Sequence, residues 1–410
     1  MTRDARLLFL ARAVRMSGYG ALGVILVLYL SSLGLEPGPI GLLLTLTLVG
    51  DTVISLWLTT HADRIGRRRT LVVGALLVAA AGIVFAAGAS FAGPTGFVIL
   101  LIAATLGVLS PSGSEVGPFL PIEQASLTEV TPAERRTSIY AWYNLTGSVA
   151  TAVGALVAGL VVGALATVGW SDIDAYRVIL VSYAIQGLIL VPIVRSVSPA
   201  VEVPPVDTSI GRRLGLHRSQ GVVGRLAALF ALDAFGGGLI IQSLLAFWFH
   251  ERFGLSAPVL GAIFFGANLL AAVSALAAAR IAARIGLINT MVFTHLPSNV
   301  LLMLVPLMPT VELAIVVLLA RFSISQMDVP TRQSYTMAVV EPDERSAAAG
   351  ITGIARTTGA AFSPLIAAPL FAVPALAAVP FFLAGGLKIV YDLALWRAFR
   401  QRRPPEETSR

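Results

Sequence analysis

Twelve apolar stretches, each long enough to cross a bilayer as a helix, follow one another along the chain, and that succession leaves few folds open. They centre near residues 20, 49, 80, 108, 151, 185, 236, 269, 297, 324, 357 and 385, and each offers about the 20 residues a helix needs to traverse hydrocarbon. With 56% hydrophobic and 12% charged residues over 410 positions, the apolar surface exceeds what one water-facing core can hide, so lipid must solvate most of it. Backbone groups in lipid have to be paired within their own segment, which makes such stretches helices. The sequence therefore predicts an all-α polytopic membrane protein with twelve transmembrane helices.

The first stretch starts directly behind Arg3 and Arg6, outruns a signal-peptide core and has no small-residue cleavage site, so it reads as a retained first span. The connections alternate in charge. One set carries Arg64, Arg67, Arg68 and Arg69, then Arg135 and Arg136, then Arg195, Arg212, Arg213 and Arg218, then Arg284, Arg345, Arg402 and Arg403; the other set carries only Arg177 and Arg252. The positive-inside rule then predicts a protein of the cell membrane with both termini cytoplasmic. The net charge of +7 is thereby a topology signal and not a nucleic-acid footprint. Cysteine is absent, and His61, His217, His250 and His295 are scattered, so thiolate, disulfide and metal chemistry are not expected and no cofactor is implied.

The longest polar connection, 198–221, contains Pro204, Pro205 and a basic patch and reads as a cytoplasmic linker between bundles at 1–197 and 222–410. The halves repeat: "LGLEPGPIG" (Leu33 to Gly41) matches "FGLSAPVLG" (Phe253 to Gly261), and "DRIG" (Asp63 to Gly66) matches "ARIG" (Ala283 to Gly286), both at an offset of 220. "PIEQ" (Pro121 to Gln124) matches "PTRQ" (Pro330 to Gln333) at 209, and "PAERR" (Pro132 to Arg136) matches "PDERS" (Pro342 to Ser346) at 210. Duplication of this kind is common in transporters.

The segment "THADRIGRRR" (Thr60 to Arg69), between the second and third spans, resembles the G-x-x-x-D-R-x-G-R-R signature of the major facilitator superfamily. Asp63, Arg64, Gly66, Arg67 and Arg68 fit it, while Thr59 stands where the family has its leading glycine. The resemblance implies two pseudo-symmetric six-helix bundles and a gating role for these residues. A carboxylate at a helix end can pair with arginines or a helix N-terminus in one transport state and release them in the other; the bland reading is that the arginines only fix topology. The arginine and following glycine of drug and proton antiporters are missing from span four, and span five, "TGSVATAVGALVAG" (Thr146 to Gly159), lacks that subgroup's Gly-Pro pair.

Span four is interrupted by "SPSGSEVGPFLPIEQ" (Ser110 to Gln124), where Pro111, Pro118 and Pro121 remove backbone donors and Gly113 and Gly117 relax the chain, predicting a kinked or unwound span. Glu115 then lies about 20 Å deep at 1.5 Å per residue, where it either carries a proton or substrate contact or hydrogen-bonds the broken backbone. Arg12, Arg15 and Tyr19 share one face of span one, and Asp233 on span seven sits at the repeat-related depth, which suggests an ion pair between those spans. Glu123 and Arg332 hold matching places in the two copies and suggest a second gate pair. Arg321 and Asp328 add charge to span ten and Arg356 to span eleven; Asn144, with Tyr140, Trp142 and Tyr143, opens span five.

Lys388, the single lysine, sits in "GGLKIV", which is no phosphate-binding loop, so ATP hydrolysis is not expected and neither is any other enzyme activity. The reading is a secondary active transporter, a monomer in membrane lipid, that exports small amphipathic organic compounds against proton entry. An uptake symporter or facilitator for a polar solute is the alternative within transport, and a receptor or scaffold the alternative outside it.

Overall fold

The computed structural model describes residues 1–90, 93–115, 117–132, 135–202, 216, 218–341 and 344–402; the side chains of Asp63, Thr137, Ser138 and Ser346 also lie outside the description. Described residues form sixteen α-helices and no strand. In chain order these are α1 (Arg3–Ser32), α2 (Pro37–Ile65), α3 (Arg67–Ala86), α4 (Gly93–Leu106), α5 (Phe119–Glu129), α6 (Arg136–Thr167), α7 (Asp172–Arg195) and α8 (Gln220–Gly238). There follow α9 (Gln242–Phe253), α10 (Ala257–Ile285), α11 (Leu287–Leu304), α12 (Val311–Phe322), α13 (Asp328–Ala338), α14 (Arg345–Ala361), α15 (Ser363–Ala372) and α16 (Val379–Phe399).

Twelve spans become sixteen helices because four of them are broken. Span four divides into α4 and α5, span seven into α8 and α9, span ten into α12 and α13, and span eleven into α14 and α15. Nine helical stretches among the described residues are long and apolar enough to cross a membrane, with α8 and α9 counted as one; the three shortfalls are the halved spans four, ten and eleven. Three of the four breaks have a local cause. Gly113 (φ 67°) and Gly117 (φ 81°) are left-handed in span four, a backbone that side-chain-bearing residues rarely adopt. Span seven ends its first half at Gly236, Gly237 and Gly238, and span eleven is cut just before Pro364.

The duplicated motifs fold alike. Gly66 (φ 101°) and Gly286 (φ 86°), the repeat-related glycines after "DRI" and "ARI", both make the left-handed turn between two helices.

The chain forms two compact units, one of residues 1–208 and 241–265 and the other of 209–240 and 266–410. In the first, α1 and α6 approach through glycines. A Cβ on Gly20 would stand 2.0 Å from the Thr151 carbonyl oxygen, and one on Gly154 would stand 1.9 Å from that of Ser17. Small residues are how helices approach in lipid, where the hydrophobic effect does not drive them together. In the second unit Gly359 on α14 does the same against α8, its Cβ falling 2.4 Å from the Ala231 carbonyl oxygen. Beside that contact, Leu226, Phe230, Met291, Tyr335, Tyr391 and Leu395 form an apolar core.

Candidate functional site

Each unit buries a cluster of charge. In the first unit the broken backbone of span four delivers two glutamates to α1. Arg15, 1% exposed, takes Glu123 with both terminal nitrogens (Nη1 to Oε1 2.7 Å, Nη2 to Oε2 2.9 Å) and Glu115 with Nη2 (2.7 Å) and Nε (3.1 Å). Its guanidinium also lies 4.3 Å from the Phe119 ring centre. One turn away, Arg12 reaches Glu115 Oε2 at 2.8 Å and stacks 4.2 Å from the ring of Tyr143, whose hydroxyl donates to Glu123. Gly147 makes room for this, since a Cβ there would fall 2.5 Å from Arg12 Nε. Two arginines and two glutamates thus balance, and charge-assisted bonds of this geometry are the strong kind.

Asp51 on α2 supports the break from the other side, accepting the Gly117 N–H at 2.5 Å and the Ser55 hydroxyl at 3.1 Å. Tyr19 is buried and packs on Tyr183, whose hydroxyl donates to the Val108 carbonyl at 2.6 Å where α4 has ended. Asn144 lies on the exposed side of α6.

In the second unit Asp233 on α8 is the hub. Lys388 Nζ on α16 bonds its Oδ1 at 2.6 Å, while Arg332 on α13 and Arg356 on α14 reach Oδ2 at 3.2 and 3.3 Å. Arg332 also holds Asp328 at 2.8 Å. His295 on α11 bridges onward: its Nε2 is 3.9 Å from Asp233 and its Nδ1 is 2.9 Å from Asp392, whose other oxygen accepts from Asn299 at 3.0 Å. All of these are buried except Arg356, about a third of whose side chain (35%) is exposed.

Two pairings were expected from the sequence, Arg15 with Asp233 and Glu123 with Arg332, and each of these groups has partners inside its own unit: Arg15 holds Glu115 and Glu123, Asp233 is held by Lys388, Arg332 and Arg356, and Arg332 also holds Asp328. Buried charge takes an opposite partner because isolation in low dielectric is so costly.

The sequence reading missed Lys388, His295, Asp392 and Asn299 as members of the hub. His295 and Asn299 lie one turn apart on α11, as do Lys388 and Asp392 on α16, and polar pairs at that spacing inside apolar stretches are a readable signal.

A family model for the Major Facilitator Superfamily matches residues 8–364, most of the chain. The chain belongs to the Major Facilitator Superfamily. It is accordingly a multi-pass membrane transporter of small-molecule substrates and not an enzyme. An uncharacterized membrane protein of Saccharomyces cerevisiae is 28% identical over 425 residues, which take in 96% of this chain and 93% of that one. Among solved structures, a D-xylose-proton symporter superposes with a TM-score of 0.77 at 14% identity, covering 99% of this chain and 98% of its own. A nucleoside transporter (TM-score 0.73, 13% identity, 97% and 100% covered) and a bacterial homologue of the human lysosomal transporter Spinster (0.68, 15%, 96% and 94%) share the fold as well.

In this transporter the superfamily signature surrounds the α2–α3 turn. Glu202 accepts the backbone N–H groups of Arg67 (2.7 Å) and Arg68 (3.1 Å), satisfying two of the donors that the first turn of α3 leaves free. The Arg67 side chain donates to the Val201 carbonyl at 3.0 Å and approaches Glu129 at 3.7 Å, and Arg68 donates to the Arg195 carbonyl at 2.6 Å. Arg64 is exposed at the end of α2, and the Asp63 side chain lies outside the described residues.

Proposed function

We propose that this transporter works by alternating access, exporting small amphipathic organic compounds against proton entry, as a monomer in the plasma membrane with both termini cytoplasmic. The moving bodies are the bundles at 1–197 and 222–410, joined by a cytoplasmic linker at 198–221, and the residues around Gly66 and Asp63 gate the cycle.

The observation that carries the proton part is His295, bonded to Asp392 at 2.9 Å and 3.9 Å from Asp233 in a buried cluster. Histidine is a common proton shuttle, and here it stands between two carboxylates, one of which, Asp233, also holds Lys388, Arg332 and Arg356. A proton arriving at His295 changes the charge balance of the hub on which α8, α11, α13, α14 and α16 converge. Glu115 is clamped by two arginines, Arg12 at 2.8 Å and Arg15 at 2.7 Å.

The test uses proteoliposomes loaded with 1-naphthoate, 1-naphthylmethanol or 1-naphthylmethylammonium under an imposed pH gradient. Uphill movement that follows the gradient in wild type and vanishes in His295→Gln, with downhill exchange retained, is the expected result. Uphill rates that ignore the gradient, or that persist in His295→Gln, overturn the coupling scheme.

A further inference from the structure

Span ten is broken between α12 and α13. Helix α12 has 12 residues, roughly 18 Å along its axis, against a hydrocarbon core of about 30 Å. At its end stand two buried polar groups with no hydrogen-bond partner among the described residues, the Nε of Arg321 (8% exposed) and the hydroxyl of Ser325 (5% exposed). Arg321 makes no ion pair there either. Its neighbours are the Phe322 ring, 5.0 Å away, and the charges of Asp233 and Asp328, which act on it through space while bonded to other cations.

A guanidinium left unpaired at this depth is costly, and such a charge is retained where it serves a ligand. The surrounding charge points the same way. Arg321, Arg332, Arg356 and Lys388 face Asp233, Asp328 and Asp392, one cation more than acids before His295 takes any proton. Arginine offers a planar fork of donors that suits carboxylate and phosphate oxygens, and a hydroxyl four residues on adds a neutral donor.

We infer that the break of span ten, through Arg321 and Ser325, recognises an anionic group, a carboxylate or phosphate, on the transported compound. This rests on the export reading above and names its substrate class, amphipathic organic anions. Export of an anion from a compartment that is negative inside is also electrically downhill, so proton entry and anion exit pull in one direction.

The experiment follows thermal unfolding of the purified full-length protein with 1-naphthoate, 1-naphthyl phosphate, 1-naphthylmethanol and 1-naphthylmethylammonium, in wild type, Arg321→Gln, Arg321→Lys and Ser325→Ala. Wild type should be stabilised by the two anions and by neither of the others. Arg321→Gln should weaken the half-saturating anion concentration tenfold or more, Arg321→Lys less, and Ser325→Ala least. Ligand-free Arg321→Gln should melt at or above wild type, because it removes a charge that has no partner. A lower melting point in ligand-free Arg321→Gln marks Arg321 as a structural cation and overturns the inference, as does a wild type that ignores the anions or responds equally to alcohol and ammonium. A parallel set in phosphatidylcholine nanodiscs with and without phosphatidylglycerol separates the sources of anion. Arg321-dependent stabilisation by phosphatidylglycerol that displaces naphthoate assigns the site to a lipid headgroup and removes the substrate. Anion binding intact in a protein that ignores the pH gradient sinks the coupling scheme alone.

Discussion

Asp233→Asn removes the charge but keeps the shape of the residue on which the second cluster converges. The cost falls unequally on its partners. Arg332 retains Asp328 at 2.8 Å, and Arg356, with a third of its side chain exposed, can turn to water. Lys388 is only 9% exposed in its side chain and loses its one bonded carboxylate. Breaking a buried ion pair from one side costs about 3–5 kcal/mol, and at roughly 2–4 °C per kcal/mol for a unit of 150–250 residues the melting point should fall by about 6–20 °C. Lys388→Met is milder, since Asp233 keeps Arg332 at 3.2 Å and Arg356 at 3.3 Å; losing one charged hydrogen bond costs about 1.5–3 kcal/mol. The double variant leaves an amide beside a thioether and no stranded charge, so it should melt above Asp233→Asn alone, with a coupling of about 1–3 kcal/mol. Tryptophan-fluorescence melting of the three variants in one detergent reads all of this. Strict additivity, or an Asp233→Asn protein as stable as wild type, would refute the pairing.

Gly154→Leu should abolish folded protein, because even a Cβ there meets the Ser17 carbonyl oxygen at 1.9 Å; a monodisperse peak of normal yield on size exclusion would contradict the α1–α6 contact. Glu123→Gln should destabilise more than Glu115→Gln, the first having a side chain 0% exposed and the second 15%, and equal melting points would count against the ranking. In Glu115→Gln, pH-driven transport and exchange should decline together, and selective loss of the pH-driven mode would return the proton to Glu115. Glu202→Ala should cost about 1 kcal/mol, the worth of a helix cap, and speed hydrogen exchange at the Arg67 and Arg68 amides; unchanged protection would remove Glu202 from the α3 terminus.

Much of this architecture was legible in the residues. The twelve apolar stretches, the halves in register at 220, and the prolines and glycines that unwind span four are all local or periodic signals, and these survive without knowledge of tertiary contacts. The breaks in spans seven and eleven were equally local, in Gly236 to Gly238 and Pro364, but flanking apolar residues masked them. Partner choice was not legible. Asp233 and Lys388 are 155 positions apart, and depth matching through the repeat ranks every arginine at that level alike; only the rotation of each helix about its axis, fixed by glycine contacts such as Gly359 against Ala231, selects among them. Arg15 met the same limit: Glu115 lies on a non-helical segment whose facing no periodicity encodes, and Glu123 lies on the short helix α5 that the segment orients.

The halving of span ten also bears on how the chain is made. On an insertion scale, the strongly apolar side chains of α12 each contribute about −0.3 to −0.6 kcal/mol, while a charged residue at the bilayer centre costs about 2.5–3.5 kcal/mol, and Arg321, Asp328 and Arg332 fall within one span. Such a segment is too weak to leave the translocon for lipid unaided. It gains from α8, already synthesised, whose Asp233 can take Arg332 at 3.2 Å. In a chain long enough for span ten to leave the ribosome, a glycosylation reporter placed after Ala338 should therefore report less integration in Asp233→Leu than in wild type.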